Sequence, residues 1–383
     1  MKKYIVILLA AVVAFAACTK VNPEEKKAEK ISFSVANYVP ATKAYASILD
    51  EVGTDGFMCK AYLHAAGVTE VQEYFGEDGE NITFKSGEWT PSRDYYWPKS
   101  SNSYINFVSW YNKNILLPDA TASEFISEET SLQWRHCVVS PDQNPNANIM
   151  WADKAWFYGK NYTSSENNTM NSLTGAFGKD GVTEGVPTLF HHALAKLTIK
   201  AKAAKTEKGE TGKVTSWEIT IKNAKITNYQ KMGDLELFAA RTPSTQTPQI
   251  GHYVGNPISS GVWVPSGGAA YVGDIELDDT DVLTTTAVDV LAESSILPQG
   301  LTAGTNQLTF DVDLVIKYNG TEYSHEVIPY AVDLKTTAIS SWLMNTKYIY
   351  TITVDPETET IKFDPAAIDW EDTVEANINV PII

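Results

Sequence analysis

The residue with the most defined chemistry in this sequence is Cys18, which follows Ala16 and Ala17 at the end of a short apolar run. Met1-Lys2-Lys3 supplies a basic start, and Tyr4 to Phe15 is an apolar stretch too short for an ordinary membrane span. A cysteine directly after small residues fits a bacterial lipoprotein signal, in which the thiol takes a diacylglycerol before cleavage. Leu is usual three places earlier, where Phe15 stands here. The alternative is plain secretion with Cys18 incidental. Lipid chains contribute about 0.8 kcal/mol per buried CH2, so two or three of them hold a protein firmly to a membrane. Thr19 to Lys30 is polar and Lys/Glu-rich, as a flexible tether would be. The reading is a signal peptide over 1–17 and a mature chain anchored outside the cytoplasm.

Other constellations with chemical potential are sparse. Cys59 and Cys137 either pair in an oxidising compartment or remain buried free thiols. The six histidines are His64, His136, His191, His192, His252 and His325, and none sits four residues from another beside a Glu. His191 and His192 are neighbours in a strand pattern, where successive side chains point to opposite faces, so a structural role is expected for both. Pro265-Ser266-Gly267-Gly268 lacks the leading glycine of a nucleophile elbow and reads as a turn. Gly209 to Lys213 has the wrong spacing for a phosphate loop, and Val214 stands where Ser or Thr belongs. Asp278-Asp279-Thr280-Asp281 lacks the rest of a calcium loop and reads as a solvated turn. No catalytic residue, cofactor or metal is assigned, and the chain is not expected to be an enzyme.

Charge narrows the partners. Lys and Arg total 30 against 47 Asp and Glu, a net charge of -17, and only Arg93, Arg135 and Arg241 are arginines. Such a surface repels phosphate backbones, so no nucleic acid is expected. Aromatic residues crowd the first half of the chain: Trp89, Tyr95, Tyr96, Trp97, Trp110, Tyr111, Trp134, Trp151 and Trp156. They form either a platform for sugar rings or the packing of a core, and packing is favoured because no flanking polar constellation accompanies them.

The elements that would carry these residues are nearly all strands. Ile31 to Val35 alternates with period two, and Ile105, Phe107, Ser109 and Tyr111 share one face of a later run. His191-His192 opens a strand read as continuous from Phe190 to Ala203, in which Leu197, Ile199, Ala201 and Ala203 are apolar. Trp217, Ile219 and Ile221 repeat the pattern. The clearest run is Leu308, Phe310, Val312, Leu314, Ile316 and Tyr318, closed by the Asn319-Gly320 turn signal and answered from Tyr323. Lys347 to Val354 and Ile361 to Phe363 form another pair. Short helices are expected at Ala44 to Val52 and Leu334 to Leu343. The fold class is therefore all-β, with two tandem antiparallel β-sandwich domains. A Gly-rich stretch from Gly175 to Pro187 places the boundary, giving domains over 44–186 and 187–383.

Several short motifs occur in a telling order. A lipoprotein signal precedes a strand and Thr42-Lys43-Ala44; Asp94-Tyr95-Tyr96-Trp97-Pro98 precedes Ile105-Asn106-Phe107. Phe190-His191-His192-Ala193-Leu194-Ala195-Lys196-Leu197 follows, then Trp342, Asn345, Lys347-Tyr348-Ile349-Tyr350 and the closing Asp369-Trp370. This order resembles the fimbrillin family, the type V pilins of Bacteroidales and their fimbrillin-like relatives. The resemblance implies two transthyretin-like β-sandwich domains and a fimbrial subunit exported as an outer-membrane lipoprotein. It also implies a cut by a trypsin-like protease after the first strand and polymerisation by donor-strand exchange. The partners so implied are other pilin subunits, outer-membrane lipid through Cys18, the protease, and a host protein or glycan receptor.

Residues can be set against these roles. Ile31, Phe33 and Val35 would face a core from a first strand, and Pro40 to Ala44 offers a loop with a basic residue. Cutting between Lys43 and Ala44 would release 18–43 as tether plus first strand and leave unpaired backbone groups beside apolar surface. Relatives often carry Arg at the cut, so the alternative is that Lys43 is only a solvated loop residue. At the other end, over 373–383, Val374, Ala376, Ile378, Val380 and Ile382 alternate with Glu375, Asn377, Asn379 and Pro381. This is either a donor strand for a neighbour or the last strand of its own sandwich. The competing reading of the whole chain is a non-polymerising surface lipoprotein that binds glycans through its aromatic residues.

Overall fold

The structure is a computed structural model that describes residues 30–37, 52–53, 55–99, 103–115, 125–129, 131–152, 155–158, 185–237, 263–358 and 360–369. The first strands are β1 (Phe33–Asn37), β2 (Phe57–His64), β3 (Gln72–Glu73), β4 (Glu80–Lys85), β5 (Glu88–Pro91) and β6 (Tyr104–Lys113). Then come β7 (Phe125–Ser127), β8 (Leu132–Val138), β9 (Asn148–Ala152), β10 (Ala155–Tyr158) and β11 (Val186–His192). Nine of these form one sheet in the order β10-β6-β9-β11-β1-β5-β4-β2-β3. β2 also pairs with β6, Ala61 opposite Phe107, which folds the sheet over its own core.

Period-two alternation builds that core, because each strand sends every second side chain to the same face. Phe57, Cys59 and Ala61 of β2 meet Ile82, Trp89, Ile105, Phe107 and Phe190 in a single buried cluster. β6 is buried on both faces. Its Ile105, Phe107 and Tyr111 enter this cluster, as their spacing anticipates, while Val108 and Trp110 enter a second one.

The second half opens with β12 (Ala195–Ala203), β13 (Glu207–Glu210), β14 (Lys213–Gln230), β15 (Met232–Leu237) and β16 (Val264–Pro265). It continues with β17 (Val272–Glu276), β18 (Val288–Ile296), β19 (Gln299–Gly300), β20 (Gln307–Tyr318) and β21 (Thr321–Asp333). β22 (Ser341–Trp342), β23 (Thr346–Asp355) and β24 (Thr360–Asp369) follow. Sheet β18-β12-β23-β24 and sheet β13-β14-β20-β21 pack their apolar faces together. Leu197, Ile199, Tyr350, Ile352 and Phe363 from one meet Trp217, Ile219, Ile221, Phe310 and Val312 from the other. This is the expected sandwich. The Asn319-Gly320 signal makes the expected hairpin: both residues have positive φ, 45° and 80°, and Tyr318 pairs with Thr321.

Several features depart from the expectation. Two pairings, β1 with β11 and β12 with β23, are parallel. Their strands lie far apart in sequence, so no tight turn constrains them to run antiparallel. The run from Phe190 to Ala203 is two strands. β11 belongs to the nine-stranded sheet and β12 to the sandwich, so the chain passes between them at Ala193–Leu194. That crossing is pinned from both sides, by Ala193 N–H to the Ile149 carbonyl at 2.8 Å and by Trp263 Nε1–H to the Ala193 carbonyl at 2.6 Å. β8 pairs with β15, Cys137 opposite Gly233, so strands of both halves share a further sheet, β16-β15-β8-β7.

Leu334 to Leu343 is not helical. Ile339 N–H donates to Thr336 Oγ1 at 3.0 Å, a local side-chain bond that competes with the helix ladder. Leu334 and Ile339 reach the core from irregular backbone instead, and Trp342 from the short strand β22. Of the helix expected at Ala44 to Val52, only Val52 is among the described residues.

Candidate functional site: the groove occupied by the first strand

β1 lies inside the nine-stranded sheet, between β11 and β5. The two contacts differ in extent. Along β11 it runs in parallel register from Phe33 opposite Val186 to Asn37 opposite Phe190. Toward β5 it makes one pair, Phe33 opposite Trp89. Just before the strand, Ile31 N–H donates to the Tyr95 carbonyl at 2.8 Å, and Lys30 bridges Tyr96. Lys30 Nζ also meets Asp94 Oδ2 at 2.6 Å, with both side chains exposed, so that pair adds little stability.

The apolar face of this segment fills a groove. Ile31 is 1% and Phe33 4% exposed, and Val35 packs against the same cluster from a half-buried position. The ring of Phe33 is met edge-on by Phe57 at 6.0 Å and by Phe107 at 5.6 Å, with Phe75 at 6.4 Å completing the pocket. Burying side chains of this kind contributes about 1.5–3 kcal/mol each.

One wall of the groove is braced by a buried carboxylate that the sequence did not flag. Glu80 Oε1 accepts from Arg93 Nε at 2.7 Å and from Tyr95 Oη at 2.6 Å, and Ser92 Oγ donates to Oε2. Burial pushes the Glu80 carboxyl up, but the hydrogen bonds from Ser92, Tyr95 and Arg93 outweigh it and hold the group below its ordinary range. Tyr95 in turn packs on Phe75, ring centroids 4.4 Å apart. The Asp94–Pro98 motif is thus where the chain clasps the start of β1. Nothing about Glu80 alone, fourteen residues earlier in an unremarkable acidic stretch, signals that role.

The remaining candidates distribute as follows. Cys18, Lys43, Ala44 and the C-terminal Val374, Ala376, Ile378, Val380 and Ile382 lie outside the described residues. Cys59 and Cys137 are free and buried in different clusters, and burial pushes each thiol up to about 12. They do not form the disulfide that was one of two expectations. His191 stacks on Trp151 at 4.5 Å, while His192 Nδ1 lies 3.1 Å from Asn148 Oδ1, each on its own side of β11. Of the aromatic residues, Trp89, Trp110, Tyr111, Trp134 and Trp151 are buried, which accounts for them as packing. Among the described residues no group of His, Cys, Asp and Glu is placed to hold a metal ion, and no helix is long and apolar enough to cross a membrane.

The chain is similar to several known proteins. A candidate cell adhesion protein from Bacteroides uniformis is 18% identical, covering 89% of this chain and 98% of its own, with a TM-score of 0.42. A fimbrial protein from Bacteroides vulgatus is 14% identical over 89% of this chain and 99% of its own, with a TM-score of 0.42. A further candidate cell adhesion protein, from Bacteroides ovatus, is 12% identical over 91% and 99%, with a TM-score of 0.46. No curated protein matches. The sequence profile of the fimbrillin-like family matches residues 55–370, a span that contains every strand from β2 to β24. The chain therefore belongs to the fimbrillin-like family.

Proposed function

We propose that this protein is a subunit of a cell-surface fimbria that supports adhesion, exported as a lipoprotein and polymerised by exchange of its first strand. In this reading Cys18 carries lipid in the outer membrane, and β1 is a provisional occupant of its groove. A trypsin-like protease hydrolyses the Lys43–Ala44 peptide bond, adding one water across it. The amino-terminal piece then departs with β1. A neighbouring subunit fills the vacancy with its C-terminal residues, placing Val374, Ala376, Ile378, Val380 and Ile382 where Ile31, Phe33 and Val35 had been.

The observation that carries the reading is the position of β1. It is an interior strand of its sheet that buries Phe33, with Ile31 buried just before it, and no described strand precedes it. Removing it would expose the outer edge of β11 from Val186 to Phe190 together with an apolar pocket lined by Phe57, Phe75 and Phe107. An open edge beside apolar surface is a site for β-augmentation.

The test is to follow the mature protein by mass spectrometry and gel electrophoresis before and after limited trypsin digestion. The expected result is acylated Cys18 in the uncut form, a new terminus at Ala44, and a ladder of SDS-resistant oligomers after the cut. A chain that stays monomeric once Ala44 is its terminus would refute polymerisation by this route.

A further inference from the structure

A cleft lies on the outer face of the second-half sandwich, away from the groove of β1. Leu308, Phe310 and Val312 of β20 enter the core, so Thr309 and Asp311 between them lie on the outer face of the β13-β14-β20-β21 sheet. Along β14 the register shifts at this point. Lys222 pairs with Asp311 and Lys225 with Thr309, which leaves Asn223 and Ala224 opposite Phe310 alone. Two residues facing one make a β-bulge, a device that re-aims side chains. Ala224 is buried, while Asn223 takes a positive φ of 51°. On the other flank Pro329 and Ala331 stand opposite Asp311 and Thr309. Their short side chains keep the face low between Lys225 and the β21 edge. The cleft these residues line has a volume of about 430 Å³. Sites for small molecules span about 300–1,000 Å³.

The polar groups of the cleft are set in advance. Asn223 N–H donates to Asp279 Oδ1 at 2.9 Å, and Asn223 Nδ2 donates to Asp311 Oδ2 at 2.8 Å, which leaves Asp311 Oδ1 for another donor. Lys225 Nζ is balanced by Asp274 Oδ2 at 3.1 Å. Thr309 Oγ1 is buried and has no hydrogen-bond partner among the described residues; Lys225, its register partner, is the flexible side chain that can swing away from it. Tyr330 lines the cleft beside Pro329, its ring stacked on Phe310 with centroids 5.8 Å apart.

We infer that this cleft binds a neutral sugar ring. Sugar hydroxyls donate and accept at once, which matches a carboxylate and an amide locked to each other with an unpartnered threonine hydroxyl alongside. Pro329 and Tyr330 suit the C–H face of the ring, as an apolar lining with a few placed polar groups does in small-molecule sites. The charges in the cleft are already paired, so an ionic ligand finds no uncompensated counter-charge, and a net charge of -17 repels anions. None of the aromatic residues crowding the first half of the chain lines it. The site stands on the geometry of the sandwich and holds whether or not subunits exchange strands.

The full chain is titrated with glucose, galactose, N-acetylglucosamine and the acidic sugar N-acetylneuraminic acid, followed by calorimetry and saturation-transfer NMR. The expected result is saturable binding of a neutral sugar and none of the acid. Asp311→Asn keeps the shape but removes the charged acceptor, and should raise Kd at least about tenfold. Ala331→Phe, at an exposed position, fills the cleft and should abolish binding while leaving the unfolding midpoint where it was. Binding unchanged in both variants would overturn the site, and preference for the acid would overturn the neutral class. Saturation by none of the sugars would overturn the inference as a whole.

Discussion

Phe33 of β1 meets Phe107 of β6 edge to face, with ring centroids 5.6 Å apart and planes at 84°. Phe107 is also approached by Trp97 at 6.0 Å and by Phe75 at 5.9 Å, so the floor of the groove and the ring that fills it form one aromatic unit. Such pairs contribute about 0.5–1.5 kcal/mol beyond the area they bury. The strand that would leave is therefore held by its side chains at least as firmly as by its ladder.

Phe33→Ala should weaken that hold by about 3–5 kcal/mol, whereas Phe33→Leu, closer in volume, should cost under about 1.5 kcal/mol. Hydrogen exchange at the β1 and β11 amides reads the difference directly. In the trypsin-cut chain the alanine variant should release its amino-terminal fragment at least about 100-fold faster, at about tenfold per 1.4 kcal/mol. Unchanged protection in Phe33→Ala would show that the ring does not secure the strand.

Glu80 sets an acid limit on the same wall. Its carboxyl is held below the ordinary range in the folded protein, so its contribution is present above the unfolded-state value of about 4.3 and is lost as pH falls through the folded value. Glu80→Gln removes the charge and with it that part of the acid sensitivity. Urea midpoints measured at pH 7 and near pH 3 should converge for the variant relative to the parent. The variant should also be weaker at pH 7, by about 1.5–3 kcal/mol for a charge-assisted hydrogen bond. Parallel curves for the two proteins would refute a charged Glu80 as the brace.

Cys59 and Cys137 should be silent in the folded state. With thiols raised to about 12, the thiolate fraction at pH 8 is on the order of one in 10,000, and both groups are buried. An aromatic disulfide reagent should label neither under native conditions and both in denaturant, without prior reduction. Labelling of fewer than two thiols after denaturation alone would reveal a disulfide.

Trp263 should couple the two halves. Its indole N–H donates to the Ala193 carbonyl at the point where the chain leaves the nine-stranded sheet for the sandwich. Trp263→Phe keeps most of the ring and strands that carbonyl, at a cost of about 1–3 kcal/mol. Because strands of both halves share the β8–β15 pairing, near-ultraviolet and far-ultraviolet signals should still move in a single transition, shifted to lower denaturant. Two separated transitions in the parent protein would contradict a shared core.

How much was legible follows from how local each signal was. Leu308 to Tyr318 and Asn319-Gly320 specify a strand and a turn within fifteen residues, and the structure has both. The facing of Ile31 and Phe33 was legible for the same reason. The break at Ala193–Leu194 was not, because both sides of it alternate well and only the distant Ile149 and Trp263 pin it. The helix expected at Leu334 to Leu343 had apolar residues at workable intervals, but Thr336 captured the Ile339 amide and core contacts took the rest.

By itself, then, the sequence determined the all-β class, the alternation that sorts each strand into core and solvent faces, the acidic surface, and the family motifs with their order. These depend on neighbours a few residues apart, whose backbone geometry is a short-range matter. Only the tertiary structure decided that β1 runs parallel to β11, that its partner on the other side stops at Trp89, and that Glu80 braces the clasp at Tyr95. Pairing partners distant in sequence are chosen by the joint burial of many side chains. No local pattern encodes which distant strand will lie beside which.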